Sequence, residues 1–331
     1  MLDSILLNNY QKVEVGGLVV RLPLEAEIYR TRKSTSIGRE LQQRIDIDGD
    51  GGGSRGSLLS GREEEGAQPK LSFNSLIAAQ TLLWYKKSQS LIDEYMEDVA
   101  NMANERGEID PTVLEPQTEH LLRMYLDVQE SWQEVCLVID RDGSKGTATT
   151  LVMNRPMAFS ASKDLARLIL FGASGAVSES IPVHQTEKLV KFLTAFDSGC
   201  AVYVGGQDKL DEEAMIIHGF AELEGAVEIS PGSGIFKGGL NDAMKGIVNG
   251  KYKPLDFRFF VGRNDYKDGD LDVAVHMSKY SPIACARSLA LKQCIQLPKP
   301  LWHEVCELCG GELKEISKLE LMKRDDIDFE E

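Results

Sequence analysis

The segment at residues 46–57, DIDGDGGGSRGS, contains the residue types of a calcium site, because Asp46, Asp48 and Asp50 stand at alternate positions before a glycine. An EF-hand loop starting at Asp46 requires a bidentate glutamate at its twelfth position, where this chain has Ser57. Glycines and a proline between residues 61 and 69 also prevent an exit helix. We therefore predict no metal site here, and we interpret residues 31–73 as a flexible, acidic and glycine-rich linker.

The motif HEVCELC at residues 303–309 suggests either a zinc helix or a C-x-x-C redox pair. A zinc metalloprotease helix needs a second histidine at the position that Glu307 occupies. Redox thiols lie at helix N-termini, where the helix dipole lowers their pKa, whereas Cys306 and Cys309 precede two glycines that end a helix. The chain also has no phosphate-binding loop and no dinucleotide fingerprint. We expect neither a metal nor another cofactor.

Other polar residues and glycines follow apolar runs of strand length and are candidates for a ligand site. Asn154 and Arg155 lie at such a strand end, where Arg155 either pairs with a carboxylate or receives an anionic ligand. Gly205 and Gly206 follow the run AVYV and indicate a turn with positive φ, or a close backbone approach that could admit an anion. A histidine such as His218, after an apolar run, is more often a hydrogen-bonded structural residue than a catalyst. We predict no catalytic residue and a ligand-binding set of Asn154, Arg155, Gly205, Gly206, His218 and Gly262.

The composition limits the classes of function. The 331 residues include 37 basic and 52 acidic side chains, which give a net charge of −15. Such a charge repels phosphate backbones, so we do not expect a nucleic-acid partner. No run of about 18 apolar residues is present, and we expect no membrane span. The N-terminal residues resemble neither a signal nor a transit peptide, and six dispersed cysteines indicate reduced thiols.

The candidate residues depend on strands and helices that the apolar pattern locates. Strand-length apolar runs occur at 135–139, 148–154, 201–204, 215–218 and 257–261, and helix patterns occur at 162–171, 186–196 and 240–248. Several strands are joined by turns too short for a crossover helix, which favours an α+β domain over a doubly wound parallel sheet. Earlier in the chain, residues 74–107 and 116–130 predict a helical hairpin, which is either simply packed structure or a partner-binding pair.

Five further segments occur in a characteristic order: CLVIDRDGSKGTATTLVMNRPM (136–157), CAVYVGGQDKLDEEAMIIHG (200–219), EISPGSGIFKGG (228–239), FRFFVGRNDYKDGDLDVAV (257–275) and PLWHEVCELCGGELKEISK (300–318). They resemble successive blocks of the YqgE/AlgH family, and most of all its plant and algal branch. The likeness covers about residues 132–318, and VEVGGLVV at 13–20 is similar to the family's opening strand. The residues between that strand and the second one would then form one long insertion, which a surface loop tolerates.

The resemblance implies an α+β fold with a mixed, largely antiparallel, bifurcated sheet that curls into a pseudo-barrel. It divides the chain into a strand segment (1–30), the linker (31–73), the hairpin (74–131), the family-like domain (132–318) and an acidic tail (319–331). The chain departs from the family at two places. The usual Gly-Gly-Pro turn is Gly-Gly-Gln at 205–207, and the usual Gly-Tyr-Ala-Gly-Trp block is Gly-Arg-Asn-Asp-Tyr at 262–266.

The resemblance supplies no reaction. We therefore expect a non-enzymatic binding or regulatory module with an unknown protein or small-molecule partner. One alternative is a hydrolase-like or ligand-processing enzyme around Asn154, Arg155 and His218, which would require these side chains to converge in a pocket. A third is a transcriptional regulator, which would require basic side chains gathered on one face. By resemblance the protein belongs in the chloroplast, with the cytoplasm as the alternative.

Overall fold

The computed structural model describes residues 12–51, 73–110, 114–178, 182–294 and 297–323 of the chain. The described residues fall into two compact units. The first unit takes its residues from Met1–Arg21, Gln133–His276 and Tyr280–Trp302, and the second from Leu22–Trp132, Met277–Lys279 and His303–Glu331.

The strands of the described residues all belong to the first unit. In chain order they are β1 (Leu18–Arg21), β2 (Val135–Asp142), β3 (Thr147–Val152), β4 (Pro156–Ala158), β5 (Ala201–Val204), β6 (Met215–His218), β7 (Ala226–Glu228), β8 (Phe236–Gly238), β9 (Arg258–Val261), β10 (Asn264–Tyr266) and β11 (Tyr280–Ile283).

The helices are distributed over both units. In chain order they are α1 (Leu24–Arg30), α2 (Ser36–Gly51), α3 (Phe73–Met102), α4 (Pro116–Glu130), α5 (Lys163–Val177), α6 (Val183–Ala195), α7 (Leu240–Val248), α8 (Asp270–His276), α9 (Arg287–Ala290), α10 (Leu301–Cys309) and α11 (Gly311–Met322).

The first unit contains two sheets. A five-stranded sheet has the order β10-β3-β2-β1-β11, and a six-stranded sheet has the order β4-β5-β9-β6-β8-β7. All neighbouring strands are antiparallel except β5 and β9, which are parallel. The α+β class and the mixed, largely antiparallel sheet are therefore confirmed. The two ladders are joined by a main-chain bond from Val152 to Gly205, and neither sheet closes on itself within the described residues.

Apolar side chains of the two sheets belong to separate cores. One face of the six-stranded sheet packs beneath α5, α6 and α7, around the fully buried rings of Phe192, Phe196, Phe257 and Phe259. The five-stranded sheet has a second core that includes Leu271 of α8. The strands that contribute these side chains lie at the positions that the apolar pattern of the sequence predicted. The pattern locates them because the residues on one face of a strand are buried against an apolar layer.

The second unit is helical. Leu24 and Ile28 of α1, Leu91 of α3 and Leu121 of α4 share one core with Leu41 of α2. The spacing of these residues along their helices follows the three-to-four residue repeat of an amphipathic helix. No helix in the described parts of the chain is long and apolar enough to cross a membrane.

The linker predicted over residues 31–73 requires correction in its first part. Helix α2 runs from Ser36 to Gly51 and therefore includes the three alternating aspartates, which do not form a calcium loop. Ile37 and Leu41 bury themselves in the helical core, and Gln42 donates to Asp46 one turn later at 2.7 Å. The burial of these two side chains stabilises the helix, although the segment is poor in residues with high helix propensity. Residues 52–72 lie outside the described residues.

The ends of the predicted family-like domain also differ from the observed units. Residues from His303 onward belong to the helical unit, and α11 continues to Met322, beyond the predicted start of the acidic tail. The first thirty residues contain helix α1 in addition to the predicted strand. The remaining boundaries stay a prediction.

A buried ionic cluster lies within the helical unit. Lys323 donates to Glu25 on α1 and to Glu320 on its own helix, and Tyr85 of α3 also donates to Glu320. Glu25 and Glu320 are 6% and 2% exposed. One lysine thus donates hydrogen bonds to two buried carboxylates. Burial is the main cause that raises the pKa of Glu25, and the nearby charge of Glu320 adds to it, while Lys323 opposes both.

The raised pKa of Glu25 predicts that the contribution of this residue to the free energy of unfolding falls as the pH rises. The folded protein binds this proton more readily than the unfolded chain, so the contribution of Glu25 to stability declines as pH rises above its unfolded value of about 4.3. Glu25→Gln should therefore raise the free energy of unfolding at pH 8, on the order of 1–2 kcal/mol, and less near pH 5. Urea denaturation of both proteins across this range measures the difference.

The matched control is Glu312→Gln, which alters the half-exposed pair of Arg30 and Glu312 (3.0 Å) in the same unit. This change should lower stability by less than about 1 kcal/mol. A Glu25→Gln protein that is less stable than wild type at pH 8 would contradict the prediction.

Candidate functional site

Five of the six residues predicted for a ligand site lie where the two sheets meet. The chain leaves the five-stranded sheet after β3 and enters the six-stranded sheet at β4, and the passage between them contains Asn154 and Arg155. Gly205 and Gly206 follow β5, and Gly262 lies between β9 and β10, which belong to different sheets. We name this region the sheet junction. His218, on β6, lies outside it.

Asn154 holds the main chain at the junction. Its Oδ1 accepts from the N–H of Val135 at 2.9 Å, and its Nδ2 donates to the carbonyl of Gln133 at 2.8 Å. The amide therefore fixes the residues at the start of β2. Both ends of the side chain are engaged with the backbone, so Asn154 has a structural role here.

Arg155 contributes to a charged corner that also contains Glu134 and Arg21. The main-chain carbonyl of Arg155 accepts from Val204 at 2.9 Å, which ties it to β5. Arg21 is 1% exposed, and its guanidinium lies 5.7 Å from the ring centre of Tyr280, its partner in the β1–β11 register. The hydroxyl of Tyr280 donates to Glu134 Oε2 at 3.4 Å.

Electrostatics link these groups. Burial raises the pKa of Glu134, while the positive charges of Arg155 and Arg21 and the hydroxyl of Tyr280 oppose the rise. Two guanidinium groups therefore act on one carboxylate. We name Arg21, Glu134 and Arg155 the arginine corner.

The groups behind the arginine corner are not activated for chemistry. Cys136 is fully buried, and burial raises its pKa well above the usual range. Burial also raises the pKa of Tyr266 and of Tyr280. A thiol or phenol whose pKa is raised remains protonated near neutral pH, so it is a poor nucleophile.

The three junction glycines are packed against one another. A Cβ on Gly205 would lie 2.4 Å from the carbonyl oxygen of Gly262, and a Cβ on Gly206 would lie 2.2 Å from the carbonyl carbon of Arg263. A Cβ on Gly262, whose φ is +71°, would lie 2.5 Å from the carbonyl oxygen of Gly206. Gly205 and Gly206 do not have the positive φ that was expected as one possibility. The other possibility was a close approach of the backbone to another group. This close approach is observed, and the atoms that the glycines approach belong to the main chain.

The two departures from the family pattern meet beyond these glycines. The N–H of Gln207 donates to Asn264 Oδ1 at 3.1 Å, and Asp208 and Arg263 exchange main-chain bonds of 2.8 and 3.0 Å. Arg263 also pairs with Asp265 at 3.1 Å and with Glu212 at 2.8 Å. Sequence reasoning noted each departure separately, whereas the structure shows that they form one network.

His218 is a structural residue. It is fully buried, its Nε2 lies 3.0 Å from the carbonyl oxygen of Gly238, and its Nδ1 accepts from the N–H of Phe220 at 3.2 Å. Burial lowers its pKa, which keeps the ring neutral. Strand β6 is separated from β4 by β5 and β9, a distance of about 14 Å at the usual strand spacing. His218 therefore does not converge with Asn154 and Arg155.

Sequence reasoning missed Arg21, Glu134 and Arg258. Arg258 is 1% exposed and donates to the carbonyls of Ala290 and Lys292 at 2.5 and 3.1 Å, and burial lowers its pKa to about 10. Among the described residues its acceptors are carbonyls, with no carboxylate. For the two arginines, the sequence offered one signal, namely a basic residue at the end or the start of an apolar run. This signal indicates a buried arginine but does not identify the group to which it bonds.

Four of the thiols outside the junction also have raised pKa values. Cys306 is buried, Cys309 ends α10, and burial raises the pKa of both. Burial raises the pKa of Cys200 to about 12 and that of Cys285 to about 11. All six cysteines are free. Among the described residues, no group of three or more His, Cys, Asp or Glu side chains is arranged to hold a metal.

Comparison with known proteins finds one family model and solved structures to which the chain is similar. A family model described as AlgH-like matches residues 122–314. The AlgH protein from Pseudomonas aeruginosa, solved in solution, is similar with a TM-score of 0.34 and 14% identity, over 50% of this chain and 74% of that one. A crystallised protein from Corynebacterium diphtheriae is similar with a TM-score of 0.37 and 11% identity, over 56% and 82%. No curated protein matches.

The packed glycines predict a sharp asymmetry between two alanine substitutions. Gly206→Ala would place a methyl group against the main chain of Arg263, which cannot move aside as a flexible side chain does, and should lower the free energy of unfolding by about 1–3 kcal/mol or more. Gly143→Ala is the control, because nothing lies within 4 Å of a Cβ there. Urea denaturation should show no loss of stability for Gly143→Ala. Equal stability of the two variants would contradict the close packing of the junction glycines.

Proposed function

We propose that the chain, which belongs to the AlgH-like family, is a binding module with a regulatory role that recognises an anionic group on its partner. The family match covers residues 122–314, more than half of the chain, and agrees with the resemblance seen in the sequence. Family membership supplies no reaction, so the proposal rests on the geometry of the sheet junction.

The observation that carries the proposal is the arginine corner. Arg21 is buried and its position is set by β1, whereas Arg155 is partly exposed and can reach a ligand. A guanidinium has five N–H donors, so Arg155 can bond to protein acceptors and to a carboxylate or phosphate at the same time. In a chain with a net charge of −15, the guanidinium of Arg155 at this partly exposed position is suited to an acidic small molecule or an acidic protein segment.

The placement of His218 supports binding over catalysis. An enzyme built on Asn154, Arg155 and His218 would need a base within hydrogen-bond reach of the reacting group. His218 lies three strand spacings from β4, and both of its ring nitrogens have main-chain partners. The raised thiol pKa values also offer no ready nucleophile.

The proposal predicts anion binding that depends on Arg155. A thermal-shift screen with inorganic phosphate and citrate should raise the melting temperature of the wild-type chain, since a ligand that binds the native state stabilises it by about 2.7 kcal/mol at a hundred times its dissociation constant. Arg155→Ala should remove the shift, and Arg155→Lys should recover part of it, because the charge survives while the planar fork is lost.

Arg141→Ala is the matched control. Arg141 lies on β2 and pairs with Asp272 at 2.7 Å, so its loss removes a guanidinium from the same sheet without changing the arginine corner. The shift should persist in this variant. Absence of any shift in wild type, or an unchanged shift in Arg155→Ala, would contradict anion recognition at this site.

We also propose a plastid location, because the sequence resembles the plant and algal branch of the family. The full-length protein, fused at its C-terminus to a fluorescent protein and expressed in plant cells, should accumulate in chloroplasts. A diffuse cytoplasmic signal from the full-length fusion would refute the proposed location.

A further inference from the structure

Exposed apolar side chains lie beside Arg155 at one edge of the six-stranded sheet. Met157 of β4 is 43% exposed, Phe159 just after β4 is 41% exposed, and Val204 of β5 is 38% exposed. Within the described residues, β4 pairs with β5 alone, so β4 forms an edge of this sheet. The described core beneath α5, α6 and α7 includes neither Met157 nor Phe159. These two side chains therefore contribute little to the packing of the sheet.

Main-chain hydrogen bonds fix the spacing between the guanidinium-bearing residue and the apolar ones. The N–H of Val204 donates to the carbonyl of Arg155 at 2.9 Å, and the N–H of Cys200 donates to the carbonyl of Phe159 at 2.6 Å. Both ends of this segment are thus held to the same strand, β5. An extended chain rises about 3.3 Å per residue, so the Cα atoms of Arg155 and Phe159 are up to about 13 Å apart. A phosphate ion cannot reach both residues, whereas about five residues of an extended peptide can.

The side chains at this edge are of the kinds that recur at protein interfaces. Arginine, methionine and aromatic residues are enriched in interfaces relative to the rest of the protein surface, whereas lysine and glutamate are depleted. Arg155, Met157 and Phe159 supply one of each enriched kind at alternate positions of the chain. Single exposed apolar residues are common on any surface. Here two of them follow an arginine that the proposed function already uses, which favours a protein segment over a small anion as the partner.

The edge is poorly suited to adding a further strand. Strand β4 spans only Pro156–Ala158, and its first residue has no N–H to donate. Short edge strands and edge prolines are features that protect sheets from pairing with other chains. A partner segment is therefore recognised through side chains and not through a new ladder of main-chain bonds.

The charge of the chain limits how acidic the partner segment can be. With a net charge of −15, the chain repels a strongly acidic segment at long range, and it repels a second copy of itself in the same way. One carboxylate on Arg155 would gain a charge-assisted hydrogen bond at short range and add little to that repulsion. The matching segment therefore carries one acidic residue followed or preceded by apolar ones.

We propose that this edge binds an extended segment of another protein, with one carboxylate on Arg155 and apolar side chains on Met157 and Phe159. The inference rests on the proposed function, because both use the same arginine. It adds the length of the partner segment and the alternation of one acidic residue with apolar ones.

Saturation-transfer NMR with the full chain tests the proposal. The probe is an acetylated pentapeptide amide of sequence Glu-Ala-Leu-Ala-Phe, together with the reversed sequence, because a side-chain site accepts either chain direction. At least one of the two should bind at concentrations up to about 5 mM. Replacing its Glu by Gln should weaken binding at least about tenfold, because the charge-assisted bond to Arg155 is lost. Failure of both peptides to bind wild type would overturn the proposal.

Variants of the apolar side chains locate the peptide on the edge. Phe159→Ser and Met157→Ser should each weaken peptide binding several-fold, and either variant carries the test if the other does not fold. Both should leave the thermal shift with citrate unchanged, because citrate contacts only the arginine. Val227→Ser is the matched control, since it removes a 57% exposed apolar side chain from β7 at the opposite edge of the same sheet. Peptide binding should be unchanged in this control.

The outcomes separate this inference from the proposed function. A citrate shift that depends on Arg155, together with peptide binding that Met157→Ser and Phe159→Ser leave unaltered, would overturn the inference alone. A citrate shift and peptide binding that both persist in Arg155→Ala would overturn the inference and the proposed function together.

Discussion

The two sheets of the first unit depend on one close approach of main chain to main chain. Gly205 donates to the carbonyl of Val261 at 2.7 Å in the six-stranded sheet and accepts from Val152 of the five-stranded sheet at 2.8 Å. One residue therefore serves both ladders, and a side chain at Gly205 or Gly206 would occupy the space that the crossing uses. The position of Arg155 follows from this constraint, because its carbonyl is bonded to Val204, the residue before the crossing.

The two units stabilise buried polar groups in different ways. In the sheet unit, Asn154, His218 and Arg258 bond mainly to main-chain groups, which fixes loops and strand ends. Buried polar groups satisfied in this way are costly to replace but are not reactive. In the helical unit, Lys323 lies between two carboxylates from different helices, an arrangement in which attraction and burial oppose each other. The buried Glu25 thus links the stability of the helical unit to protonation.

A site that only binds a partner has fewer chemical requirements than a catalytic site. A catalytic site requires a nucleophile or base whose pKa is adjusted toward neutrality, together with a second group that orients it. Around the sheet junction the thiol of Cys136 and the hydroxyl of Tyr280 have raised pKa values, whereas the guanidinium groups of Arg21 and Arg155 carry permanent charge. In the function that we propose, this fixed positive charge provides selectivity for an anion without any change in protonation.

Local patterns in the sequence determined much of the fold. Strand β6 and helices α4 and α7 have the bounds that the apolar spacing and the flanking proline and glycine predict, because these signals act within a few residues. The five blocks of family-like sequence likewise identified the α+β class. Only the tertiary structure decided that residues 36–51 form a helix, that Arg21 and Arg155 act on Glu134, and that Lys323 bonds to Glu25, 298 residues away. Such contacts depend on burial between distant segments, which leaves no periodic signal in either segment alone.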